Sequence, residues 1–521
     1  MLINGVEYKY FSGAFNDESF ASRIVGRKGA SPIATGRSKV TTLDTVMEVI
    51  EDGDTISYPH YYRLGDNGLK MVVDKLREHK KRDIKLYANA IFDNCDPWLF
   101  EAWKDGIITG VYGNVYRKFG EHVTSGELLS WVGVGFSHGN RVRKLQTGEV
   151  HVKVAFGPVP IADVYGNSNG VMGKEEHWCG PLGLFSADAE FADYTCLLAG
   201  TVSEYMILPN EIPMAQVDFV VPVENPGLAE GIGSGTLDLE RIRANEFNRV
   251  IADNVTNVMR AAGCVKDNFG FQVGSGAGLI VLDEIRKMLK EQKIVANFSI
   301  GGVTSMHVDM FNEGTMRYLW HGQLFEPSPK VIKSLLEDAG HKAIPTGEYA
   351  SVANKECLVN MLDVAVLSAL EVDVNFNVNT VCANGRIIGG IGGGQDVAAG
   401  ADLTIMFLPL AQGKNGKGFA KVVDKVYTRT TPGEVVDVVV TEEFVSVNPQ
   451  SKSTYKDAIL NNARDFGLNI VTIEDLYLRS IDKARGFGNI PPVAETTDEI
   501  VHAIEWRDGT LLDVIKKTVN K

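Results

Sequence analysis

The chain has 521 residues, 44% of them hydrophobic and 23% charged, with a formal net charge of −14. Length alone suggests two to four domains, and the composition is that of a globular protein without low-complexity tracts. The acidic balance, with no basic block, argues against nucleic acid as the main partner, and no apolar run reaches the roughly 18 residues of a membrane span.

The first residues, "MLINGVEYKYFSGAF", lack an apolar signal core, so no export signal is read there. Residues 54–80 read as strand, loop and helix, with Leu69, Val72, Val73 and Leu76 on one helical face. The proline-rich segment 210–231 reads as the domain junction, which divides the chain into halves 1–228 and 229–521. Residues 269–302 read as strand, glycine loop, helix and strand, and Leu279, Leu282, Ile285 and Leu289 have helical spacing. Residues 401–410 give a further strand, and 434–448 a strand or hairpin. Strands alternating with helices predict an α/β fold with largely parallel sheets covered on both faces. Six scattered cysteines (95, 179, 196, 264, 357 and 382) without CxxC spacing favour a reducing, cytoplasmic setting.

The chain repeats itself. Residues 153–169, "KVAFGPVPIADVYGNSN", align with 363–379, "DVAVLSALEVDVNFNVN", at an offset of 210. Six positions are identical: Val154/Val364, Ala155/Ala365, Asp163/Asp373, Val164/Val374, Asn167/Asn377 and Asn169/Asn379. Each copy is an apolar strand, an acidic residue and an asparagine turn. An offset of this length fits two related domains and is too long for a solenoid repeat.

Candidate chemistry lies in loops beyond strand ends, where open α/β sheets bind ligands. "QVGSGAG" (272–278) offers Gly274, Ser275 and Gly276 before a helix, but it is not GxGxxG, and no GxxxxGK[ST] occurs. "GGIGGG" (389–394) holds five glycines in six positions and is read as joining two strands. Bare amides at Gly392, Gly393 and Gly394 would suit a developing oxyanion, for which one donor contributes roughly 2.7–4 kcal/mol. Gln395 follows them. His60, Arg63, His138, Arg141 and Lys174 sit near glycine turns and are candidate carboxylate ligands. No spacing matches a zinc or EF-hand site, so no metal is expected.

Taken in order, "SYPHYYRLGD", "SHGNRV", "VAFGPVPIADVYGNSNG", "FQVGSGAG", "SIGGVTSMHVD", "LDVAVLSALEVDVNFNVN" and "GGIGGGQDVAAGADLTI" resemble the alpha subunit of citrate lyase, a citrate CoA-transferase. The resemblance runs from about residue 35 to the C-terminus. It implies two similar CoA-transferase-type domains with the active site between them. It also implies exchange of acetyl for citryl on the thioester arm of an acyl carrier protein, with acetyl-CoA as surrogate. The expected partners are that carrier (gamma), the citryl lyase (beta) subunit, citrate and further copies of the chain. On this resemblance Gly392 to Gly394 make the oxyanion contacts, and Gly274, Ser275, Gly276 and Gln395 hold the thioester arm.

Class I CoA-transferases use a glutamate nucleophile, but the corresponding stretch here, "ANFSIGGVTSMH", has no acid from Gln292 through Val308. The resemblance therefore implies attack by the substrate's own carboxylate and a mixed anhydride. The family's histidine after the glycine pair is replaced by the Gly394–Gln395 step, Pro59 stands where a second histidine is common, and "EEHW" is inserted near Lys174. These departures lie where the acid should bind, so citrate, citramalate and malonate stay open. A class I enzyme using Glu371 and a non-catalytic binding protein are the other readings.

Overall fold

The structure is a computed structural model describing residues 2–4, 6–7, 38–128, 130–233, 239–274, 278–324 and 326–519. Two large sheets dominate it. The first has nine strands in the order Phe219–Pro222, Tyr194–Ala199, Val154–Val159, Thr55–Tyr58, Ile84–Ile91, Ile108–Val115, Gly133–Gly135, Thr496–Glu505 and Leu511–Thr518. The second has eight: His341–Ala343, Met316–Leu324, Ala296–Val303, Gly270–Val273, Val364–Ser368, Leu403–Phe407, Val438–Val440 and Val445–Val447. Every pairing is parallel except the last in each sheet. Parallel strands need crossovers, and the helices that make them bury the apolar stripes read from the sequence. In helix Gly68–Glu78, Leu69, Val72, Val73 and Leu76 are all buried. In Gly278–Gln292, so are Leu279, Leu282, Ile285 and Leu289.

The sequence repeat is reproduced bond for bond. Asp163 Oδ1 accepts from Tyr165 N at 2.9 Å and Asn167 N at 3.0 Å, while Oδ2 accepts from Asn167 Nδ2 at 2.8 Å. Asp373 makes the same three bonds, to Asn375 N at 2.9 Å, Asn377 N at 3.0 Å and Asn377 Nδ2 at 3.1 Å. The correspondence continues beyond the aligned stretch. Asp218 accepts from Thr195 N at 2.9 Å in the first sheet, and Asp437 from Thr404 N at 2.7 Å in the second. The identical Asp163/Asp373 and Asn167/Asn377 positions are acids folded onto their own asparagine turns, which fix the loop at the end of each central strand.

Two features differ from the sequence expectation. The segment 210–231 is not a free connector, because Phe219–Pro222 closes one edge of the first sheet and the short helix Glu230–Gly233 follows. The C-terminal hairpin, Thr496–Glu505 with Leu511–Thr518, joins the first sheet beside Gly133–Gly135, although a cut after residue 228 assigns it to the second half. Gly133 and Gly135 explain the docking: a Cβ at either would stand 2.5 or 2.7 Å from the His502 ring. All six cysteines are buried and free. Among the described residues no helix is long and apolar enough to cross a membrane.

Candidate active site

Two adjoining cavities open between the two halves of the chain, one of about 520 Å³ and one of about 370 Å³. Both are lined by Tyr116, His138 and Leu184 from the first half and by Gly274, Gly302 and Gly393 from the second. The larger continues along Leu367, Ser368, Gly389, Gly394 and Met406. The smaller is more polar and adds His60, Arg63, Asn89, Asn114, Thr304 and His307. Among the described residues, Arg63 carries the only formal charge on these walls, and no Asp, Glu, Lys or Cys lines them.

The glycine run lies at the seam. It leads from the short strand Arg386–Ile387 into helix Gly394–Gly400, so it joins strand to helix and not two strands. Asn114 Oδ1 accepts from Ile391 N at 3.0 Å, and Gly392 O accepts from His138 N at 3.0 Å, which ties the loop to the first half. The glycines serve different needs. A Cβ on Gly389 would meet Thr380 O at 2.5 Å, and one on Gly390 the Tyr116 hydroxyl at 2.5 Å. Gly392 has φ +57°, where L side chains are strained. A Cβ on Gly393 would meet the Tyr349 hydroxyl at 2.7 Å, whereas Gly394 has nothing within 4 Å. Among the described residues the Gly392 and Gly393 amides have no hydrogen-bond acceptor.

His138 begins helix His138–Gln146, which Ser137 caps by accepting from Asn140 N at 3.2 Å. Its Nδ1 faces Asn89 Oδ1 at 2.8 Å. Burial, then Arg141 and Arg63, lowers its pKa to about 4, so it is neutral at pH 7. His307, in helix Ser305–Asn312, accepts from Thr304 N at 3.1 Å through Nδ1, and burial, then His341, lowers its pKa to about 3. Beneath the seam, fully buried Asp396 accepts from Ser137 Oγ at 2.8 Å and Gly139 N at 2.9 Å.

Comparison with known proteins decides the family. The family model for the citrate lyase alpha subunit (CitF) matches residues 37–518. The citrate lyase alpha chain of Klebsiella pneumoniae is 37% identical, covering 90% of this chain and 89% of its own length. That of Escherichia coli K12 is 33% identical over 89% of this chain and 88% of its own length. The chain belongs to the citrate lyase alpha-subunit family. A solved structure described as the alpha subunit of citrate lyase from Streptococcus mutans, in complex with citrate, superposes with a TM-score of 0.84 at 33% identity, covering 93% of this chain and 92% of that one. A malonate decarboxylase alpha subunit from Acinetobacter baumannii shares the fold at a TM-score of 0.62 and 14% identity, with 90% and 96% of the two chains covered. The CoA-transferase reading of the sequence therefore holds.

The fold brings together some of the residues singled out in the sequence and not others. Gly274, Gly392, Gly393, Gly394, His60, Arg63 and His138 all line the cavities. The Gly274 amide is already committed to Val366 O at 2.8 Å, and Ser275 and Gly276 lie outside the described residues. Gln395 is turned away: it is buried and donates to Thr430 O at 2.6 Å and Glu505 O at 3.0 Å. Arg141 lines neither cavity: its guanidinium is buried against Asp188 at 2.7 and 2.6 Å. Lys174 is exposed and lines neither cavity. Glu371 also lies outside them and accepts from Asn379 Nδ2 at 2.8 Å.

Sequence reasoning missed Asn89, Asn114 and His307. The first two are amides near the carboxyl ends of otherwise apolar strands, and that position was their signal. His307 lay in a stretch read for its family resemblance and its lack of acids, with no role given to the histidine.

Proposed function

We propose that the two cavities hold the two partners of a citrate CoA-transferase reaction, the thioester arm in the larger and the acid in the smaller. The absence of any carboxylate or thiol on the walls, among the described residues, carries this reading. With no carboxylate or thiol among the described lining residues to take the acetyl group, the acid's own carboxylate attacks the acetyl thioester. A C–O bond forms as the C–S bond breaks, giving a mixed anhydride and free thiolate. The thiolate then attacks the citryl carbonyl, and acetate leaves. The protein supplies orientation, worth up to ~7–11 kcal/mol for well-placed reactants. The open amides of Gly392 and Gly393 stand at the seam as oxyanion donors. Arg63 and the neutral ring of His307 face the acid.

The thioester arm belongs to an acyl carrier protein, and a citryl lyase subunit cleaves the product. The relatives' names, alpha chains of citrate lyase, support further chains in a citrate lyase complex, and the solved neighbour's complex with citrate supports the acid. The test is an exchange assay on the purified chain with acetyl-CoA and citrate, followed by mass spectrometry. Citryl-CoA and acetate in equal amounts are expected. No exchange, even with a purified acetylated carrier, would overturn the proposal.

A further inference from the structure

The two histidines singled out on the polar cavity are held in opposite tautomers. A backbone N–H can only donate, so the bond from Thr304 N leaves His307 Nδ1 bare and puts its proton on Nε2. An amide oxygen can only accept, so the contact with Asn89 Oδ1 puts the His138 proton on Nδ1 and leaves Nε2 as a lone pair. Neither Nε2 has a partner among the described residues, and neither is an orphan sealed from the cavity. At this wall His138 thus presents a neutral acceptor and His307 a neutral donor, beside the Arg63 guanidinium.

We infer that His138 is a specificity-determining residue, reading the hydroxyl group of a hydroxy-polycarboxylate by accepting its hydrogen bond, while His307 donates to a carboxylate of the same molecule. This rests on the transferase reading of the site. A carboxylate brought against a bare Nε2 meets lone pair with lone pair. A fully ionised dicarboxylate such as malonate offers His138 no proton to accept, whereas citrate and citramalate each carry one hydroxyl. Burial supports the assignment by keeping the ring neutral around pH 7. The glycine run supports it as well. A Cβ on Gly392 would stand 3.8 Å from His138 Nε2, and one on Gly393 3.4 Å from Cδ2, so their absence leaves the ring uncovered.

The test compares two acids that differ by one hydroxyl, citrate and propane-1,2,3-tricarboxylate, as acceptors with acetyl-CoA. A buried acceptor left unpaired should lower kcat/KM for the deoxy acid about tenfold or more in the native chain. His138→Leu should bring the two acids to within about threefold of each other, and His138→Gln, which can present a carbonyl oxygen, should restore part of the preference. Nitrogen-15 NMR of the ring gives a readout independent of turnover. It should show a bare Nε2 that shifts on addition of citrate and not of the deoxy acid. Equal kcat/KM in the native chain, or a protonated Nε2 at neutral pH, would overturn the inference and leave the transferase reading standing. Loss of transfer with every acid would sink the transferase reading, and the NMR response to citrate would still decide the role of His138.

Discussion

Asp396 and Ser137 meet at 2.8 Å between the two halves of the chain, with the carboxylate fully buried beside the glycine loop. Its pKa rises from 3.8 to about 6, chiefly through burial, which outweighs the Gly139 amide and Arg507. The folded state thus holds this proton more tightly than the unfolded chain does. Its contribution to stability is full below about pH 4 and declines as pH rises to about 6, by an amount on the order of 2–3 kcal/mol. Asn in its place can still accept from the Gly139 amide and donate to the Ser137 hydroxyl. Denaturation at several pH values should show Asp396→Asn gaining on the native chain between pH 4 and 7. A constant difference across that range would count against the buried, proton-holding carboxyl.

The loop glycines separate steric need from chemical use. Gly394→Ala adds a methyl that meets nothing within 4 Å at the first turn of a helix. Its melting temperature should hold or rise, because Ala exceeds Gly in helix propensity by up to ~1 kcal/mol. Its turnover should fall, because Gly394 lines the larger cavity. Gly392→Ala is strained by roughly 1–2 kcal/mol at φ +57° and should lose stability as well. Thermal melts paired with kcat/KM check both. Unchanged turnover in Gly394→Ala would mean that the arm does not pass this point.

Much of this arrangement was legible in the sequence, for identifiable reasons. The duplication showed because Asp163/Asp373 and Asn167/Asn377 are bound by turn chemistry local to each copy, and local constraints leave local patterns. Helices 68–78 and 278–292 showed through their buried stripes. Arg141 could not be told from Arg63, because its use is decided by Asp188, which lies 47 residues away on another helix. The bonds of Gln395 were illegible for the same reason, since its partners, Thr430 and Glu505, are remote in the chain. The C-terminal hairpin has no local pattern that names its neighbour. Only the two glycines opposite His502 reveal the fit, and they do so only once the strands are paired.

The two arginines should respond differently to removal. Arg141→Ala leaves Asp188 buried and unpaired, which costs about 3–5 kcal/mol, so the melting temperature should drop sharply while KM for the acid in the folded fraction stays near the native value. Arg63→Ala removes the bond to Ile232 O together with a cation from the cavity wall. Stability should fall less than in Arg141→Ala, and kcat/KM for citrate should fall roughly 10- to 100-fold, the range of a lost charge-assisted bond. A swap of these two phenotypes would reverse the assignment of which arginine meets substrate.

The mechanism turns on whether any carboxylate of the chain becomes acylated. Glu371 was the acid that a glutamyl-enzyme reading of the sequence would have chosen, and it is held by Asn379 and the Tyr427 amide outside both cavities. Gln can keep the bond from the Tyr427 amide, so Glu371→Gln should melt within a few degrees of the native chain and retain its exchange rate. Incubation with acetyl-CoA and borohydride or hydroxylamine should leave the mass of the chain unchanged at every Glu and Asp, in the presence and absence of citrate. A trapped adduct at a single carboxylate, lost together with activity when that residue is changed to its amide, would replace the mixed anhydride by a covalent intermediate. That residue would then have to reach a seam whose described walls hold no acid.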